Sequence, residues 1–262
     1  VWLNATSVAQ NTPGDVIVSV DPTGLTVGNY SGSIVISASG TEGGSLTIPV
    51  ALVVRSDAPQ PIVQAVLNGA SYGGNVAPGT WVAIYGTNLA NTTGASTTVP
   101  LPTSLGGTTV AFSGIPAPLL YVSPTQINAV VPFNLPITPS GYPGASVTVT
   151  TSARVSSPIG FNTSQGSPGL FSVDGTGTGT AVAFDSSFNQ IYSVPSGPLI
   201  LYADGLGPTS PPASSASGGA SSEPLNRVVN RPRVFVGDNE ATVTFAGLAP
   251  GFPGIYQLNV IP

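Results

Sequence analysis

Pro78-Gly79-Thr80-Trp81-Val82-Ala83-Ile84-Tyr85-Gly86-Thr87-Asn88-Leu89 reads as a small turn, an apolar run and a second, glycine-containing turn. Ser196-Gly197-Pro198-Leu199-Ile200-Leu201-Tyr202-Ala203-Asp204-Gly205-Leu206-Gly207 has the same grammar. Both then open into Ser/Thr/Pro/Gly-rich segments, Ala90 to Pro100 and Pro208 to Pro224. Both close on one phrase, Gln126-Ile127-Asn128 with Pro132 in the first copy and Gln257-Leu258-Asn259 with Pro262 in the second. A repeat of this length predicts two sequential domains of one type, the second carrying insertions. Trp81 to Tyr85 should then match Leu199 to Ala203, and Ile127 to Val131 should match Leu258 to Ile261.

Working outward from the two copies, strand-like runs recur at short spacing. They fall near Thr108 to Phe112, Leu119 to Val122, Val147 to Thr151, Thr180 to Phe184, Arg233 to Val236, Thr242 to Phe245 and Tyr256 to Val260. Ahead of the repeats, Asp15 to Val20, Gly32 to Ser39 and Ser45 to Val54 are rich in Val, Ile, Ser and Thr, with turns at Asp21 to Gly24 and Gly40 to Gly44. Many short strands punctuated by Gly and Pro predict β-sandwiches. No segment supports a helix of three turns. Pro49 cannot donate to a ladder, so the run that holds it is an edge strand or is bulged there. The two Ser/Thr/Pro/Gly-rich segments read as surface loops open to O-linked sugar.

The order Trp2, Val20-Asp21-Pro22, Gly24-Leu25, Gly28-Asn29-Tyr30-Ser31-Gly32 and Ile48-Pro49-Val50 resembles the later half of a BACON domain. That resemblance implies an immunoglobulin-like module of the carbohydrate-associated kind found beside exported bacterial enzymes. From Ile62 onward the chain is similar to the acidobacterial uncharacterised C-terminal repeat family. The residues that carry the likeness are Leu67 to Tyr72, Ala77-Pro78-Gly79, Ile84 to Leu89, Leu101 to Gly107, Ser123 to Asn128, Gly205-Leu206-Gly207 and Ala246 to Asn259. It implies an exported, cell-envelope or extracellular β-protein and brings no catalytic residues. The expectation is an all-β chain of tandem immunoglobulin-like β-sandwiches. Residues 1–57 would form a partial BACON-like domain, 58–165 the first repeat and 166–262 the second, with Ser56 to Pro61 as a linker.

Composition narrows the function classes. Charged residues are 6% of the 262, where roughly 25% is usual, and there is no Cys, Met or His. The cations are five arginines, Arg55, Arg154, Arg227, Arg231 and Arg233, against ten carboxylates, for a net charge of −5. That balance disfavours nucleic acid, whose phosphates need a basic stripe. No apolar run reaches the 18 residues of a membrane span. Lack of Cys removes disulfides without fixing the compartment. A start at Val1 reads as a processed piece of a longer precursor. A surface with so little charge has lost the usual defence against association, so packing against copies of itself or a solid surface is expected.

Without His, Cys or Lys the chain holds few groups for acid, base or nucleophilic chemistry, and it is expected not to be an enzyme and to use no cofactor. Asp15, Asp21, Asp57, Asp174, Asp185, Asp204, Asp238, Glu42, Glu223 and Glu240 sit mostly beside Gly, Pro, Asn or Ser, which suits turns and caps. A glycosidase would need two of them facing across a cleft. Weak calcium candidates are Asp174, in Asp174-Gly175-Thr176-Gly177-Thr178-Gly179, and Asp238 with Glu240; neither has EF-hand spacing. Trp81, Tyr85, Tyr121, Tyr202 and Tyr256 offer a sugar-stacking platform, but Trp81 and Tyr85 share one face of a strand that a sandwich normally buries, so core is favoured. Arg227, Arg231 and Arg233 lie near Glu223 and Asp238, which favours surface pairing. Asn4, Asn29, Asn91 and Asn162 stand in Asn-x-Ser/Thr sequons.

These readings converge on a non-enzymatic extracellular structural protein, a subunit of a surface filament, sheath or adhesin stalk that forms a homopolymer. The alternative is a carbohydrate-binding accessory module of a larger exported bacterial protein, with polysaccharide as partner. The second copy lacks the strands that follow Pro132 in the first, and the BACON-like part lacks its opening strands. Strand addition between subunits is therefore expected, with Ser196 to Pro262 as acceptor and Val1 to Val20 of the next subunit as donor.

Overall fold

The computed structural model describes residues 1–8, 14–37, 45–55, 58–137, 144–152, 154–195 and 197–262. The turn at Gly40 to Gly44 with Glu42, the linker residues Ser56 and Asp57, and Ser196 lie outside them. Every regular element among the described residues is a β-strand, and none is a helix long and apolar enough to cross a membrane. The chain forms two compact units, Val1–Ala58 and Pro59–Pro262, and the second holds both repeats.

The first unit is two antiparallel ribbons. β1 (Leu3–Ser7) pairs β2 (Val16–Val20), and β3 (Gly28–Ser37) pairs β4 (Ser45–Val54). Pro49 sits opposite Ser33 in a ribbon of only two strands, so its missing N–H interrupts an edge. Trp2 packs near Tyr30, with ring centroids 6.5 Å apart, and the Tyr30 hydroxyl donates to the Thr26 carbonyl at 2.8 Å. Among the described residues of this unit one apolar side chain, Ile34, is buried. Val16, Val18 and Val20, on one face of β2, remain 37%, 47% and 43% exposed.

The first repeat is a closed two-layer sandwich. One layer runs β5 (Ile62–Asn68), β7 (Trp81–Thr87), β13 (Gln126–Val130), β12 (Leu119–Val122) and the short β8 (Gly94–Ala95). The other runs β11 (Ile115–Pro116), β10 (Thr108–Phe112), β14 (Ala145–Thr150), β15 (Ile159–Thr163) and β6 (Asn75–Val76), with β9 (Ser104–Leu105) also on β10. Alternation decides what goes inside: β10 and β14 bury every second residue, so Val110 and Phe112 meet Val147 and Val149 across the ladder. Val82 and Ile84 of β7 and Ile127 of β13 face them, and Phe112 meets Phe161 edge-on at 5.6 Å.

The second repeat reuses that skeleton. β19 (Leu199–Asp204) pairs β24 (Tyr256–Ile261) as β7 pairs β13. β23 (Asn239–Leu248) runs beside β24, and β22 (Val234–Val236) turns back on β23 in the place of β10. β16 (Gly169–Leu170), β17 (Ala183–Asp185) and β18 (Gln190–Ile191) extend the β19 edge, while β20 (Thr209–Ser210) and β21 (Arg227–Val228) extend the β23 edge. Gln126 lies opposite Tyr85, and Gln257 opposite Tyr202. The register therefore matches Ile84-Tyr85 to Leu201-Tyr202, one residue away from the match of Trp81 to Leu199 that the two apolar runs suggested. The Ile127 to Leu258 match stands as expected.

The two loop segments differ. Ala90 to Pro100 is mostly exposed and meets a sheet through β8 and through Ser96 N–H, which donates to the Leu120 carbonyl of β12 at 2.8 Å. Pro208 to Pro224 is not a free surface loop: it contributes β20, its Ala216 carbonyl accepts from Leu101 N–H at 2.8 Å, and Ser215 Oγ accepts from Phe133 N–H at 2.9 Å. The small side chains make this possible, because a Cβ at Gly219 would lie 2.4 Å from the Leu248 carbonyl oxygen.

Candidate functional site: an open groove and an aromatic cleft

β14 and β15 complete the sandwich of the first repeat, and no described strand takes their place in the second. β22 pairs β23 along one edge and nothing among the described residues along the other. The result is a groove of about 250 Å³ whose floor is Leu199, Leu201, Ala183 and Ile191 and whose wall is Val234 to Val236. It runs on into a second hollow of about 510 Å³ that shares Leu170, Ala181, Leu201, Val234 and Phe235. Phe235 is 52% exposed here.

Strand alternation puts a different surface on the other side of the same sheet. Leu170, Ala181, Ala183 and Leu201 face the groove, whereas their neighbours Phe171, Val182, Phe184 and Tyr202 face a cleft of about 360 Å³. Trp81 of the first repeat and Phe252 of the β23–β24 turn complete it. Trp81 and Phe171 pack at 5.5 Å, and Phe184 meets Tyr202 edge-on at 5.7 Å. Two of the five platform candidates, Trp81 and Tyr202, thus meet in one site. Tyr85 and Tyr121 lie elsewhere, opposite Gln126 and Asn128 on the first repeat's outer face. Tyr256 is core: it is fully buried, its hydroxyl donates to the Gly207 carbonyl, and burial, then the nearby Asp204, pushes its pKa up.

Trp81 and Tyr85 do share a face, but it is the outer one, and both are half-buried; the core face of β7 carries Val82 and Ile84. The run Val82-Ala83-Ile84 is buried throughout, so its sequence holds no alternation from which the inner face could be read.

Between the repeats lies a buried polar knot. Asn68, fully buried at the end of β5, accepts from Ala70 N–H and Ser71 N–H at 2.9 and 2.7 Å and donates to the Ser167 carbonyl at 2.9 Å. Asp204 ends β19 beside it, with no exposed surface and no hydrogen-bond partner on either carboxylate oxygen. Burial pushes its pKa well above the ordinary value, and the nearby Asn68 side chain and the Ala70 and Gly69 amides pull back only in part. Those two amides are already engaged, by Asn68 Oδ1 and by the Trp81 carbonyl. Asp204 is thus no turn residue, as its Gly-rich setting suggested.

The other carboxylates behave as turn and pair residues. Asp174 accepts from Thr176 N–H and Oγ1, and Asp185 from Asn189 Nδ2, then Asn189 N–H and Ser187 N–H. These bonds hold both carboxyls below their usual range. Glu240 takes both of its bonds from Arg233 at 2.8 Å, and Asp238 stands at the β22–β23 turn, so Arg233 pairs with Glu240 and not with Asp238. Arg227 pairs with Glu223 at 3.1 Å. Both pairs are solvent-exposed and worth little. The described residues hold no cluster of three or more metal-ligating side chains. Asn4, Asn29, Asn91 and Asn162 are all exposed, and Asn91 donates to Ser152 Oγ at 3.2 Å.

No family model and no curated protein matches the chain. Among solved structures it is similar to one described as a crystal structure with xylogluco-oligosaccharide, at 15% identity and TM-score 0.28, over 78% of this chain and 35% of that one. It is likewise similar to the gamma-CGTase of Alkalophilic bacillus clarkii, at 15% identity and TM-score 0.28, over 99% of this chain and 35% of that one. The chain thus spans about a third of each, and at that TM-score neither likeness bears on its chemistry.

Proposed function

We propose that this chain is a non-enzymatic structural protein exported to the bacterial cell surface, built of immunoglobulin-like sandwiches, BACON-like at the start and acidobacterial in its repeats. It assembles into a filament, sheath or stalk by strand addition. The open groove of the second repeat carries this reading, because the first repeat shows what such a groove takes: an antiparallel pair, β14 on β10 and β15 on β14.

The β1–β2 ribbon of a second copy has the matching form. β2 has a free edge among the described residues, an unbroken set of N–H donors and three half-exposed valines on one face, as β14 presents Ala145, Val147 and Val149. The β3–β4 ribbon fits less well, since Pro49 interrupts β4. Burying a Val or Leu side chain fully is worth about 1.5 to 3 kcal/mol, and three half-exposed valines recover about half of that each. Donor and acceptor are different surfaces, so the contact is head-to-tail and the polymer open.

Sedimentation velocity over a concentration series tests this with Val18→Asp in the donor and Phe235→Asp in the groove wall. The wild type should grow with concentration, each variant alone should stay monomeric, and a mixture of the two should give a capped pair through the one intact donor and the one intact groove. A wild type monomeric at all concentrations, or variants that polymerise like it, overturns the proposal. The alternative, a carbohydrate-binding accessory module of a larger exported protein, draws on the cleft instead. The two uses are compatible, because groove and cleft occupy opposite faces of one sheet.

A further inference from the structure

We infer that the aromatic cleft between the repeats is a binding site for a neutral polysaccharide chain, with Trp81, Tyr202 and Phe252 as stacking surfaces and the Gln257–Asn259 pair as its hydroxyl-binding edge. Assembly through the groove is not required for it. Sugar sites combine flat apolar surface, which covers the C–H faces of a pyranose ring, with a few fixed polar groups that set orientation.

The cleft supplies the first in two ring pairs, Trp81 with Phe171 and Phe184 with Tyr202, and Phe252 projects at its rim with 61% of its surface exposed. The second comes from the neighbouring strand. Gln257 lies directly across from Tyr202 and Asn259 across from Ile200, and Gln257 Nε2 donates to Asn259 Oδ1 at 2.8 Å. That bond fixes both side chains and leaves Gln257 Oε1 to accept and Asn259 Nδ2 to donate, a pairing that suits adjacent hydroxyls.

Charge selects the class of ligand. No Arg, Asp or Glu lines the cleft, so an acidic or basic partner finds no counter-ion there. A peptide strand would seek a free strand edge, which the groove offers and this sheet face does not. An apolar small molecule would use the rings and leave the amides idle.

Affinity gel electrophoresis through hydroxyethylcellulose, mixed-linkage β-glucan, xyloglucan and galactomannan tests the inference. It is run on the Val18→Asp chain, so that any self-association is removed and the outcome does not depend on it. At least one polymer should retard the protein and shift its tryptophan emission. Phe252→Ala and Gln257→Ala should each weaken retardation about tenfold, and Phe235→Ala, in the groove, should leave it unchanged. Free mobility in all four polymers overturns the inference. So does retardation that survives both cleft variants. Loss with Phe252→Ala alone, with Gln257→Ala silent, also overturns it, since the cleft is then an apolar site and not a sugar site.

Discussion

The two repeats share a skeleton and differ in what covers it. In the first, β7 and β13 lie under β10, β14 and β15, and Val82, Ile84, Ile127, Val147 and Val149 are sealed to 0% exposure. In the second, the strands over β19 and β24 among the described residues are β22 and the adjoining part of β23; Leu199 and Leu201 are buried yet still border an open groove. The ladder and its register survive without the second layer, because they are set by backbone bonds and by alternation along β19 and β24. What the second layer changes is the exposed surface: a closed sandwich presents loops and its two outer sheet faces, whereas an open one also presents a strand edge and an apolar trough.

The sharpest way to break the comparison is at one aligned position. The register places Gly86 in the first repeat where Ala203 stands in the second. A Cβ on Gly86 would sit 2.0 Å from the Ile62 carbonyl oxygen, because β5 presses on β7 at that point. Gly86→Ala should destabilise the chain by about 3 kcal/mol in denaturant titration, as overpacking against backbone does. Ala203→Gly, its mirror, should cost about 1 kcal/mol, from backbone freedom and one lost methyl. Equal effects would mean that β5 does not press on β7 at Gly86, and the packing difference drawn between the two aligned strands would be lost.

Much of this frame was legible in the sequence. Thr108–Phe112, Leu119–Val122 and Ser45–Val54 occupy the strands that alternation placed there, and the Gln-x-Asn phrase marks corresponding strands in both copies. Two things were not legible. The run Leu199-Ile200-Leu201, like Val82-Ala83-Ile84, is apolar at every position, so it carries no alternation that sets the register between copies, and the cross-strand partners alone define it. Asp204 shows no trace in its own neighbourhood of the partner that buries it, since Asn68 is far away in sequence and reaches it only through the packing of one repeat on the other. The cleft was half legible: Trp81 and Tyr202 were candidates, while Phe171, Phe184 and Phe252 gave no signal, being single aromatics in Gly- and Ser-rich surroundings.

Asp204 provides the next test, because the first repeat carries Thr87 at the matching position and buries no carboxyl there. A carboxyl whose folded pKa is raised keeps its proton in the folded state after the unfolded chain has lost it. Its contribution is therefore fully present below the ordinary carboxylate value and is lost as pH rises toward the folded value. Between those limits the wild type should weaken by about 1.4 kcal/mol per pH unit. Asp204→Asn should flatten that slope and be the more stable protein at neutral pH. The lowered carboxyls of Asp21, Asp174, Asp185, Glu223 and Glu240 act in the opposite sense and below the ordinary carboxylate value, so they do not mask it. Wild-type stability independent of pH from 4 to 8 would show that Asp204 finds a partner that compensates its burial.

The smallest effect is also the most discriminating. Gln126 Nε2 donates to Asn128 Oδ1 at 2.8 Å in the first repeat, and Gln257 to Asn259 at 2.8 Å in the second. Both pairs are half-buried on the outer face of a central strand, each beside a tyrosine, so their structural worth should be the same. A side-chain bond of this kind contributes about 1 kcal/mol net. Gln126→Ala and Gln257→Ala should therefore lower stability equally, by about 1 kcal/mol or less. Gln257 lies across from Tyr202, which lines the cleft, whereas Gln126 lies across from Tyr85, which does not, so only Gln257→Ala should change mobility in polysaccharide gels. If both variants alter binding, the amide pair itself recognises sugar on either face and the cleft is incidental. If Gln257→Ala costs several times more stability than Gln126→Ala, the second pair is holding an incomplete sandwich together, and its place beside the cleft is structural.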